Sequence, residues 1–334
     1  MKALVLREIK KPLVLEDRAC LSPNADELVV DLRAAALNRR DYWITQGMYP
    51  GIRTPIVLGS DGAGVVSSVG SEGEASWVGR EVIINPGFEW GVNERFQSDR
   101  FHILGLPRDG TLAEQVVVPV SQVYEKPKAL TWTESAALPL AGVTAYRAVF
   151  SQGELKAGEN VLITGAGGGV ATLALQMAVA VGARVWVTSS SDRKIERSVA
   201  LGAKGGFDYR DENWSKAMLD HGIQPDLIVD SAGGDNYDHL VELASPGGRI
   251  VNYGATVGLT RKLDLFKVFW KQLTLRGSTM GSPVDFEAML RFIEKHRLKP
   301  MIETEMPLAE AQKALTAMKH SPQFGKFVLR VGSS

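Results

Sequence analysis

Residues 161–171 read Val161-Leu-Ile-Thr-Gly165-Ala-Gly167-Gly168-Gly169-Val-Ala171, and this stretch decides the fold. A short apolar run leads into a turn of mostly glycine, and apolar residues then recur at helical spacing, which predicts a buried strand, a tight turn and a helix. Such a turn lets the backbone approach a pyrophosphate, whose charge is stabilised by free N–H groups at the helix N-terminus. The turn fits the dinucleotide pattern as Gly165-x-x-Gly168-x-x-Ala171, although glycines also serve ordinary tight turns.

Length and composition are those of a globular protein with room for two domains. The chain has 334 residues, of which 45% are hydrophobic and 23% charged. Basic and acidic residues number 38 each, so no net field favours nucleic acid or an anionic membrane. The single cysteine, Cys20, excludes an intrachain disulfide and a cysteine-cluster metal site, and the five histidines lack metal-ligand spacing. Without a signal-peptide core or a membrane-spanning apolar run, we expect a cytoplasmic protein that binds neither nucleic acid nor membrane.

The pattern of predicted elements changes near residue 130. The earlier part carries short strand-like runs broken by Gly, Pro and Asp, with one helix at 37–46, which predicts a mainly β domain. The predicted strands there are 27–32, 64–69, 81–84 and 113–118. Later, strands alternate with helices, which predicts a doubly wound parallel sheet. Its strands are predicted at 160–164, 184–188, 227–230, 249–253 and 273–277, and its helices at 171–182, 193–201, 214–219 and 237–243. Two helices (285–296 and 308–318) and a strand (327–331) follow Pro283.

The end of strand 184–188 bears on the choice of cofactor, because ligands of such a sheet bind beyond the carboxyl ends of its strands. The strand runs into Ser189-Ser190-Ser191-Asp192-Arg193-Lys194. An NAD enzyme usually has an acidic residue at this strand end, which bonds the ribose 2′-hydroxyl. Hydroxyls and two cations instead favour the 2′-phosphate of NADPH. The alternative is that these residues only begin a helix, whose solvated face carries Arg193 and Lys194.

Two further strand ends carry small residues where the nicotinamide half of a dinucleotide would lie. They read Asp230-Ser231-Ala232-Gly233-Gly234 and Tyr253-Gly254-Ala255-Thr256. Each segment alone is also ordinary turn chemistry. As successive strand ends of one sheet, the two support a dinucleotide site together with the glycine turn.

These features resemble the medium-chain dehydrogenase/reductase superfamily over nearly the whole chain. The other matching segments, in chain order, are Ala36-Leu-Asn38-Arg-Arg-Asp41, Leu58-Gly-Ser60-Asp61-Gly-Ala-Gly64, Gly110-Thr-Leu-Ala-Glu114, Ala136-Ala-Leu-Pro139, Thr144-Ala-Tyr146, Gly277-Ser-Thr-Met-Gly281 and Gly325-Lys326. The resemblance implies an α/β protein with a GroES-like β domain at 1–122 and 283–334. It also implies a Rossmann NADP(H)-binding domain at 123–282, with the active site in the cleft between the two domains.

Zinc enzymes of this superfamily bind a catalytic zinc through a Cys, a His and a further Cys or acidic residue. The corresponding positions here are Asn38, Ser60 and Leu140, which supply at best neutral oxygens that bind zinc poorly. The lobe that should carry four structural cysteines is the cysteine-free stretch 85–104. The chain therefore resembles the zinc-independent branch, which comprises quinone oxidoreductases and enoyl reductases, and we expect no metal.

This branch implies a role for each matching position. Asn38 and Thr144 would lie near the nicotinamide, the glycine turn near the pyrophosphate, and Ser190, Lys194 and Tyr209 near the 2′-phosphate. The full cofactor-binding set is predicted to be Asn38, Thr144, Gly165, Gly168, Gly169, Val170, Ser189, Ser190, Lys194, Tyr209, Ser231, Gly254, Ala255, Thr256, Gly281 and Lys326.

Without zinc, a substrate must delocalise its own developing charge. Quinones and α,β-unsaturated carbonyls do so, and we therefore predict an NADPH-dependent reductase of one of these. The predicted catalytic set is Tyr42 as acid or orienting donor, with Asn38, Asp41 and Asp61. A tyrosine at this place in helix 37–46 also fits a packed core. Arg39 and Arg40 are expected on the solvated face of that helix.

Two other functions and an assembly state also follow from the sequence. A zinc-free alcohol or aldehyde dehydrogenase, and a non-catalytic NADPH-binding protein, both fit an intact cofactor site without an evident acid. The segment 272–277 is predicted as the last strand of the Rossmann sheet. A free apolar edge strand tends to pair with another chain, and relatives commonly dimerise there, so we expect a homodimer through this strand.

Overall fold

The computed structural model describes residues 1–320 and 323–332. The chain divides into two compact units, one of residues 1–141 and 282–334 and the other of residues 142–281. The boundaries predicted from the sequence place residues 123–141 in the second unit instead. They pack in the first unit because strand Val123–Glu125 pairs with strand Glu81–Ile84, and helix Trp132–Ala137 packs on the first unit's strands.

The strands cover both units, and we number them along the chain. They are β1 (Lys2–Leu6), β2 (Val14–Asp17), β3 (Glu27–Ala36), β4 (Ile56–Val57), β5 (Asp61–Val69), β6 (Glu81–Ile84), β7 (Gly87–Phe88), β8 (His102–Ile103), β9 (Gln115–Pro119), β10 (Val123–Glu125), β11 (Asn160–Ile163), β12 (Arg184–Ser189), β13 (Gly205–Asp208), β14 (Leu227–Asp230), β15 (Arg249–Asn252), β16 (Thr274–Gly277), β17 (Ile302–Pro307) and β18 (Lys326–Arg330).

The α-helices are numbered in the same way. They are α1 (Arg39–Thr45), α2 (Trp132–Ala137), α3 (Pro139–Tyr146), α4 (Gly169–Ala180), α5 (Asp192–Ala200), α6 (Trp214–Asp220), α7 (Tyr237–Leu243), α8 (Leu265–Trp270), α9 (Pro283–His296) and α10 (Ala311–Met318). A π-helical turn, Arg147–Ser151, directly follows α3. Within residues 1–320 and 323–332, no helix is long and apolar enough to cross a membrane.

The first unit is built on one large sheet with two small sheets beside it. The large sheet has the order β10-β6-β5-β3-β18-β17, and β9 also pairs with β3. All its pairings are antiparallel except that of β17 with β18. Alternate residues of β3, among them Leu28, Val30 and Leu32, join the core of this unit. The first residues of β5 and β18, Asp61 and Lys326, are buried, and both strands pair with β3.

The second unit contains a six-stranded, wholly parallel sheet of order β13-β12-β11-β14-β15-β16. Counted from β11 as the first strand, the order is 3-2-1-4-5-6, so its direction reverses between β11 and β14. Every residue of β14 is buried, as expected of a strand that is covered on both faces. A ligand crevice is expected at such a reversal, beyond the carboxyl ends of the strands. The predicted α/β class, a doubly wound parallel sheet together with a β domain, is confirmed.

Strand β13 has no counterpart among the predicted elements, because it opens with two glycines and spans only four residues. Glycine at position 206 is a packing requirement. A Cβ built there would lie 2.8 Å from Ile195 Cγ2 and 2.9 Å from Val187 Cγ2. Helices α2, α3 and α8 were also not predicted, and α2 and α8 have only six residues each.

Candidate functional site

The glycine turn lies where the parallel sheet reverses direction. Gly165 and Gly167 have φ angles of +69° and +107°, which only glycine adopts without strain. Helix α4 begins immediately afterwards with Gly168 as its N-cap, and no side chain caps it. A Cβ built at Gly168 would lie 3.9 Å from the Gly165 carbonyl oxygen, an ordinary van der Waals distance, so this position is not crowded. Uncapped N–H groups in the first turn, which includes Gly169 and Val170, suit a pyrophosphate.

The buried carboxylate of Asp230 ties together three strand ends beside this turn. Its Oδ1 accepts hydrogen bonds from Thr164 Oγ1 (2.6 Å) and the Ala232 N–H (3.2 Å). Its Oδ2 accepts from Asn252 Nδ2 (2.7 Å) and the Gly233 N–H (2.9 Å). These donors follow or end strands β11, β14 and β15, so one carboxylate sets the positions of the loops at the reversal.

The small residues that were predicted for the nicotinamide half come together in the loops after β14 and β15. The N–H and Oγ1 of Thr256 both donate to the Ser231 carbonyl oxygen at 3.1 Å. Asn252 Nδ2 donates to the Gly254 carbonyl oxygen at 2.9 Å. Ala255, between Gly254 and Thr256 in the chain, is exposed. Burial raises the pKa of the adjacent Tyr253 to about 12, so its hydroxyl stays protonated at neutral pH. These two loops form one hydrogen-bonded wall.

The residues predicted for the adenosine phosphate lie along the same edge of the sheet, after β12 and β13. Ser189 is buried and its Oγ accepts the Ser191 N–H at 3.2 Å. Ser190 and Lys194 are half-buried, and Tyr209 is exposed directly after β13. The structure therefore brings the hydroxyls, the ammonium group and the phenol to neighbouring strand ends, and their role in binding a phosphate stays a prediction.

An acidic residue that the sequence reasoning did not weigh also lies here. The parallel register sets Asp208, the last residue of β13, beside Ser189. Asp208 is paired with Arg210, whose Nε lies 3.0 Å from both carboxylate oxygens and whose Nη2 lies 2.5 Å from Oδ2. These hydrogen bonds lower the pKa of Asp208. The carboxylate is thus charged but already occupied by a guanidinium group.

Thr144 and Gly281 lie near the two ends of the second unit's chain segment. Thr144 is buried, and its Oγ1 donates to Met280 Sδ at 3.9 Å. Gly281 follows Met280 directly and is buried as well. The structure therefore brings these two predicted cofactor residues close together.

In the first unit, four of the predicted site residues form one buried polar cluster, which we call the Asp61 cluster (Asn38, Asp41, Asp61 and Lys326). Asp61 Oδ2 accepts from Asn38 Nδ2 and from Lys326 Nζ, each at 2.8 Å. Lys326 Nζ also donates to Asn38 Oδ1 at 2.5 Å. Asp61 is 0% and Lys326 4% exposed, so this ion pair is almost completely removed from water.

The three positions that the family resemblance matches to zinc ligands, Asn38, Ser60 and Leu140, meet at this cluster. Asn38 donates to one oxygen of Asp61, the Leu140 N–H donates to the other at 2.8 Å, and Ser60 precedes Asp61 in the chain. The Asn38 oxygen is already bound to an ammonium group, Ser60 Oγ accepts from a guanidinium group, and Leu140 has no ligating side chain. These donors do not fit a zinc ion. Within residues 1–320 and 323–332, no group of three or more His, Cys, Asp or Glu side chains is arranged to hold a metal.

Asp41 supports the cluster from the start of α1. Its carboxylate is fully buried and accepts the N–H groups of Asn38 (2.8 Å) and Gly59 (3.3 Å). Burial raises the pKa of Asp41, while the positive charge of Arg40 opposes that shift. Asp41 therefore fixes Asn38 and the segment before Ser60 relative to each other.

Arg40 contradicts the expectation of a solvated helix face. It is only 8% exposed, and its Nη1 donates to Ser60 Oγ (2.7 Å) and to the Leu104 carbonyl oxygen (2.8 Å). Its guanidinium carbon lies 5.1 Å from the centre of the Tyr49 ring. A signal was present in the sequence, because Arg40 lies one helical turn before the buried Ile44 and so shares its face. Its neighbour Arg39 is half-buried.

Tyr42 lies apart from the Asp61 cluster. It packs against the core and lines a small cavity of about 150 Å³. The other residues that line this cavity are Thr45, Gln46, Gln312, Leu315, Thr316 and Lys319. Among the residues that the structure describes, none forms a hydrogen bond with the Tyr42 hydroxyl, and its predicted catalytic role stays a prediction.

The lobe 85–104 is closed by aromatic contacts and hydrogen bonds. The rings of Trp90 and Phe101 meet edge to face with centroids 5.3 Å apart. Trp90 Nε1 donates to the Asn93 carbonyl oxygen at 3.0 Å, and Ser98 Oγ donates to the Glu89 carbonyl oxygen at 2.7 Å. These contacts hold together the region that carries the structural cysteines in zinc-dependent relatives.

Comparisons with known proteins agree with this architecture. Residues 24–128 match the family model of the alcohol dehydrogenase GroES-like domain, and residues 169–295 match that of zinc-binding dehydrogenases. A zinc-type alcohol dehydrogenase-like protein YogA from Leptosphaeria maculans is 33% identical over 97% of this chain and 96% of its own. An acryloyl-coenzyme A reductase from Sulfurisphaera tokodaii is 29% identical over 99% of this chain and 100% of its own. A solved structure of an NAD-dependent alcohol dehydrogenase superposes with a TM-score of 0.92 at 38% identity, covering 99% of this chain and 100% of that one.

The Asp230 network leads to a prediction about stability. In the Asp230→Asn variant an amide NH₂ group replaces one acceptor and faces two donors, so we expect the free energy of unfolding to fall by about 1–3 kcal/mol. Urea unfolding measures this change. Amide hydrogen exchange of Ala232 and Gly233 should accelerate, because their acceptors are weakened. The exposed Asp235→Asn is the control, and equal unfolding midpoints for the two variants would show that the network does not hold the loops.

Proposed function

The chain belongs to the medium-chain dehydrogenase/reductase superfamily, and on that premise we propose that it is an NADPH-dependent reductase of quinones or α,β-unsaturated carbonyl compounds that works without zinc. The observation that carries the proposal is the contact of the Lys326 ammonium group with Asp61 and with Asn38, one of the three positions matched to zinc ligands. A bound NADPH would supply the hydride. The similarity to an acryloyl-coenzyme A reductase, whose name denotes an activated alkene as substrate, supports the same reaction class.

The Asp61 cluster is suited to stabilising a delocalised anion. An ammonium group has three N–H donors and an amide nitrogen has two. Lys326 uses two of its donors on Asn38 and Asp61, and Asn38 uses one of its amide hydrogens on Asp61. One N–H therefore remains on each residue for an oxygen on which negative charge develops. Asp41 and Asp61 hold these donors in place, and Tyr42 is the proposed further proton donor.

The choice between the proposed functions follows from steady-state NADPH oxidation with 1,4-benzoquinone, methyl vinyl ketone and hexanal. We expect turnover of the quinone or the enone that is unchanged by EDTA or added zinc. Lys326→Met should lower kcat/KM by at least about tenfold, which is 1.4 kcal/mol of lost transition-state stabilisation. Lys299→Met, which removes an exposed ammonium group of the same unit, is the matched control.

Each other outcome of this assay points to a different function. Preferential turnover of hexanal would indicate the zinc-free alcohol or aldehyde dehydrogenase. Tight NADPH binding without turnover of any substrate would indicate a non-catalytic NADPH-binding protein. Activity that requires added zinc would refute the metal-free reaction.

We propose NADPH rather than NADH because Ser190, Lys194 and Tyr209 lie at neighbouring strand ends while the nearby carboxylate of Asp208 is paired with Arg210. The backbone at the start of α4 would bind the pyrophosphate of either cofactor in the same way. Discrimination between NADPH and NADH must therefore come from these side chains. The similar alcohol dehydrogenase of known structure is named as NAD-dependent, so the cofactor preference of this chain must be measured directly.

Calorimetric dissociation constants for NADPH and NADH test this choice. We expect the unaltered chain to bind NADPH more tightly. Lys194→Met should weaken NADPH binding about 10- to 100-fold and leave NADH within about twofold, because only NADPH carries a phosphate on the adenosine ribose. Lys204→Met, an exposed lysine of the same unit, is the control. Equal losses for both cofactors, or a preference of the unaltered chain for NADH, would contradict the assignment.

We also propose that the chain forms a homodimer through β16, the end strand of the parallel sheet. Helix α8 directly precedes this strand and exposes large apolar side chains, with Phe266, Phe269 and Trp270 at 61%, 62% and 73% exposure. Val257 and Leu259 before the helix are exposed as well. A two-fold axis beside an edge strand pairs the strand with its own copy and covers such apolar groups.

Light scattering coupled to size exclusion tests the assembly. We expect twice the chain mass of 36.3 kDa for the unaltered protein and a single chain mass for Phe266→Lys combined with Trp270→Lys, because buried lysines would oppose the interface. Val92→Lys, a fully exposed position in the first unit, should leave the mass unchanged. A monomeric unaltered protein would contradict the proposal.

A further inference from the structure

Arg40 is a buried guanidinium group that uses only part of its hydrogen-bonding capacity. Arginine has five N–H donors. Nη1 makes two short bonds, to Ser60 Oγ and to the Leu104 carbonyl oxygen. Nη2 has one long contact of 3.5 Å with the Ile103 carbonyl oxygen, and the buried Nε has no hydrogen-bond partner among the described residues. Two donors on the Nε and Nη2 edge therefore remain without an acceptor.

This unused edge is the one that binds carboxylates elsewhere in the same chain. Arg7 holds Glu16 through Nε at 2.7 Å and Nη2 at 2.8 Å. Arg210 holds Asp208 through the same two nitrogens. Nε and Nη2 point in parallel and match the two oxygens of a planar carboxylate. In Arg40 this fork is formed but carries no carboxylate.

No carboxylate of the described residues accepts a hydrogen bond from Arg40, whose acceptors are all neutral oxygens, although its charge interacts with that of the buried Asp41. The carboxylate nearest to Arg40 in sequence is that of Asp41, whose two oxygens accept the backbone N–H groups of Asn38 and Gly59. A buried charge without a counter-ion is costly, and arginine cannot discharge by losing its proton. The face of the Tyr49 ring offsets part of that cost. A carboxylate ligand would supply hydrogen-bond acceptors and a counter-charge at the Nε and Nη2 edge.

We propose that Arg40 is a specificity-determining residue of the substrate site and that the substrate carries a free carboxylate. This inference rests on the proposed reductase function and narrows its substrate class to unsaturated carbonyl acids. Nη1 stays anchored on Ser60 and Leu104, while Nε and the remaining hydrogen of Nη2 form the fork. The carboxylate then accepts from Nε and Nη2 at once, and the ring of Tyr49 remains stacked on the guanidinium group.

A matched acid and ester test the proposal kinetically. In trans-4-oxopent-2-enoate, hydride from NADPH adds to one alkene carbon as the π bond breaks, and a solvent proton adds to the other, which gives 4-oxopentanoate and NADP⁺. The methyl ester undergoes the same reaction without the charge. We expect kcat/KM for the acid to exceed that for the ester about 10- to 100-fold, as charge-assisted hydrogen bonds imply.

Variants of Arg40 separate recognition from chemistry. Arg40→Met should raise KM for the acid and so remove the preference for it, while kcat/KM for the ester stays within about threefold of that of the unaltered chain. Arg40→Lys keeps the charge but loses the fork, so it should retain only part of the preference. Arg39→Met, which alters the adjacent arginine of α1, should leave the ratio of acid to ester unchanged. If Arg40→Met does not fold, the unaltered chain and Arg40→Lys still decide the matter.

Binding of 4-oxopentanoate by calorimetry gives a readout that does not depend on turnover. We expect binding that is constant between pH 6 and 9, because the guanidinium group stays charged, and that is weakened at least about tenfold in Arg40→Lys. Turnover of quinone or ester without any preference for the acid would overturn this inference and leave the reductase function standing. Absence of all turnover, with Arg40-dependent binding of 4-oxopentanoate, would refute the reductase and leave the carboxylate site standing. Binding of inorganic phosphate in place of 4-oxopentanoate would refute the carboxylate assignment.

Discussion

A buried carboxylate must be surrounded by hydrogen-bond donors, and each of the two units is organised around one such group. In the first unit, Asp61 collects donors from Asn38, Leu140 and Lys326, which are far apart in the chain. In the second, Asp230 collects donors from the ends of three parallel strands. Loss of either carboxylate would leave several buried donors unpaired at once. The loops that carry the candidate site therefore have little freedom to move independently.

The same requirement shapes the chemistry of the first unit. Two of the three positions that the family resemblance matches to zinc ligands contact cationic side chains. Asn38 contacts the ammonium group of Lys326, and Ser60 contacts the guanidinium group of Arg40. Unlike a zinc ion, these cationic side chains need no thiolate or imidazole ligands to hold them. They offer a substrate N–H donors, where a zinc ion would offer a coordination position. The remaining N–H of Lys326 suits a substrate whose negative charge is spread over several atoms, whereas Arg40 is proposed to bind a carboxylate. This correspondence links the proposed substrate class to the residues that replace the metal ligands.

Much of the fold was predictable because its signals are local. The apolar run, glycine turn and helical spacing at 161–171 lie within a few residues of one another and correspond to β11 and α4. The alternation of strands and helices that follows is likewise visible along the chain and confirmed by the parallel sheet. Strand β13 was missed because its glycines carry no strand signal, although the neighbouring Val187 and Ile195 leave no space for a Cβ at Gly206. The observed boundary between the two units differs from the predicted one because β10 pairs with β6. The sequence of β10 by itself does not show that pairing.

By itself, the sequence determined the α/β class and the strand-turn-helix unit at 161–171, and it predicted the strand ends for a ligand and the loss of zinc ligands. Only the tertiary structure decided which side chains meet. It paired Lys326 with Asp61 across 265 residues of chain, paired Asp208 with Arg210 beside Ser189, and buried Arg40 with an open fork. The physical reason is that periodicity and turn chemistry report on neighbours in sequence. Hydrogen bonds to a buried charge depend instead on which strands the topology sets side by side.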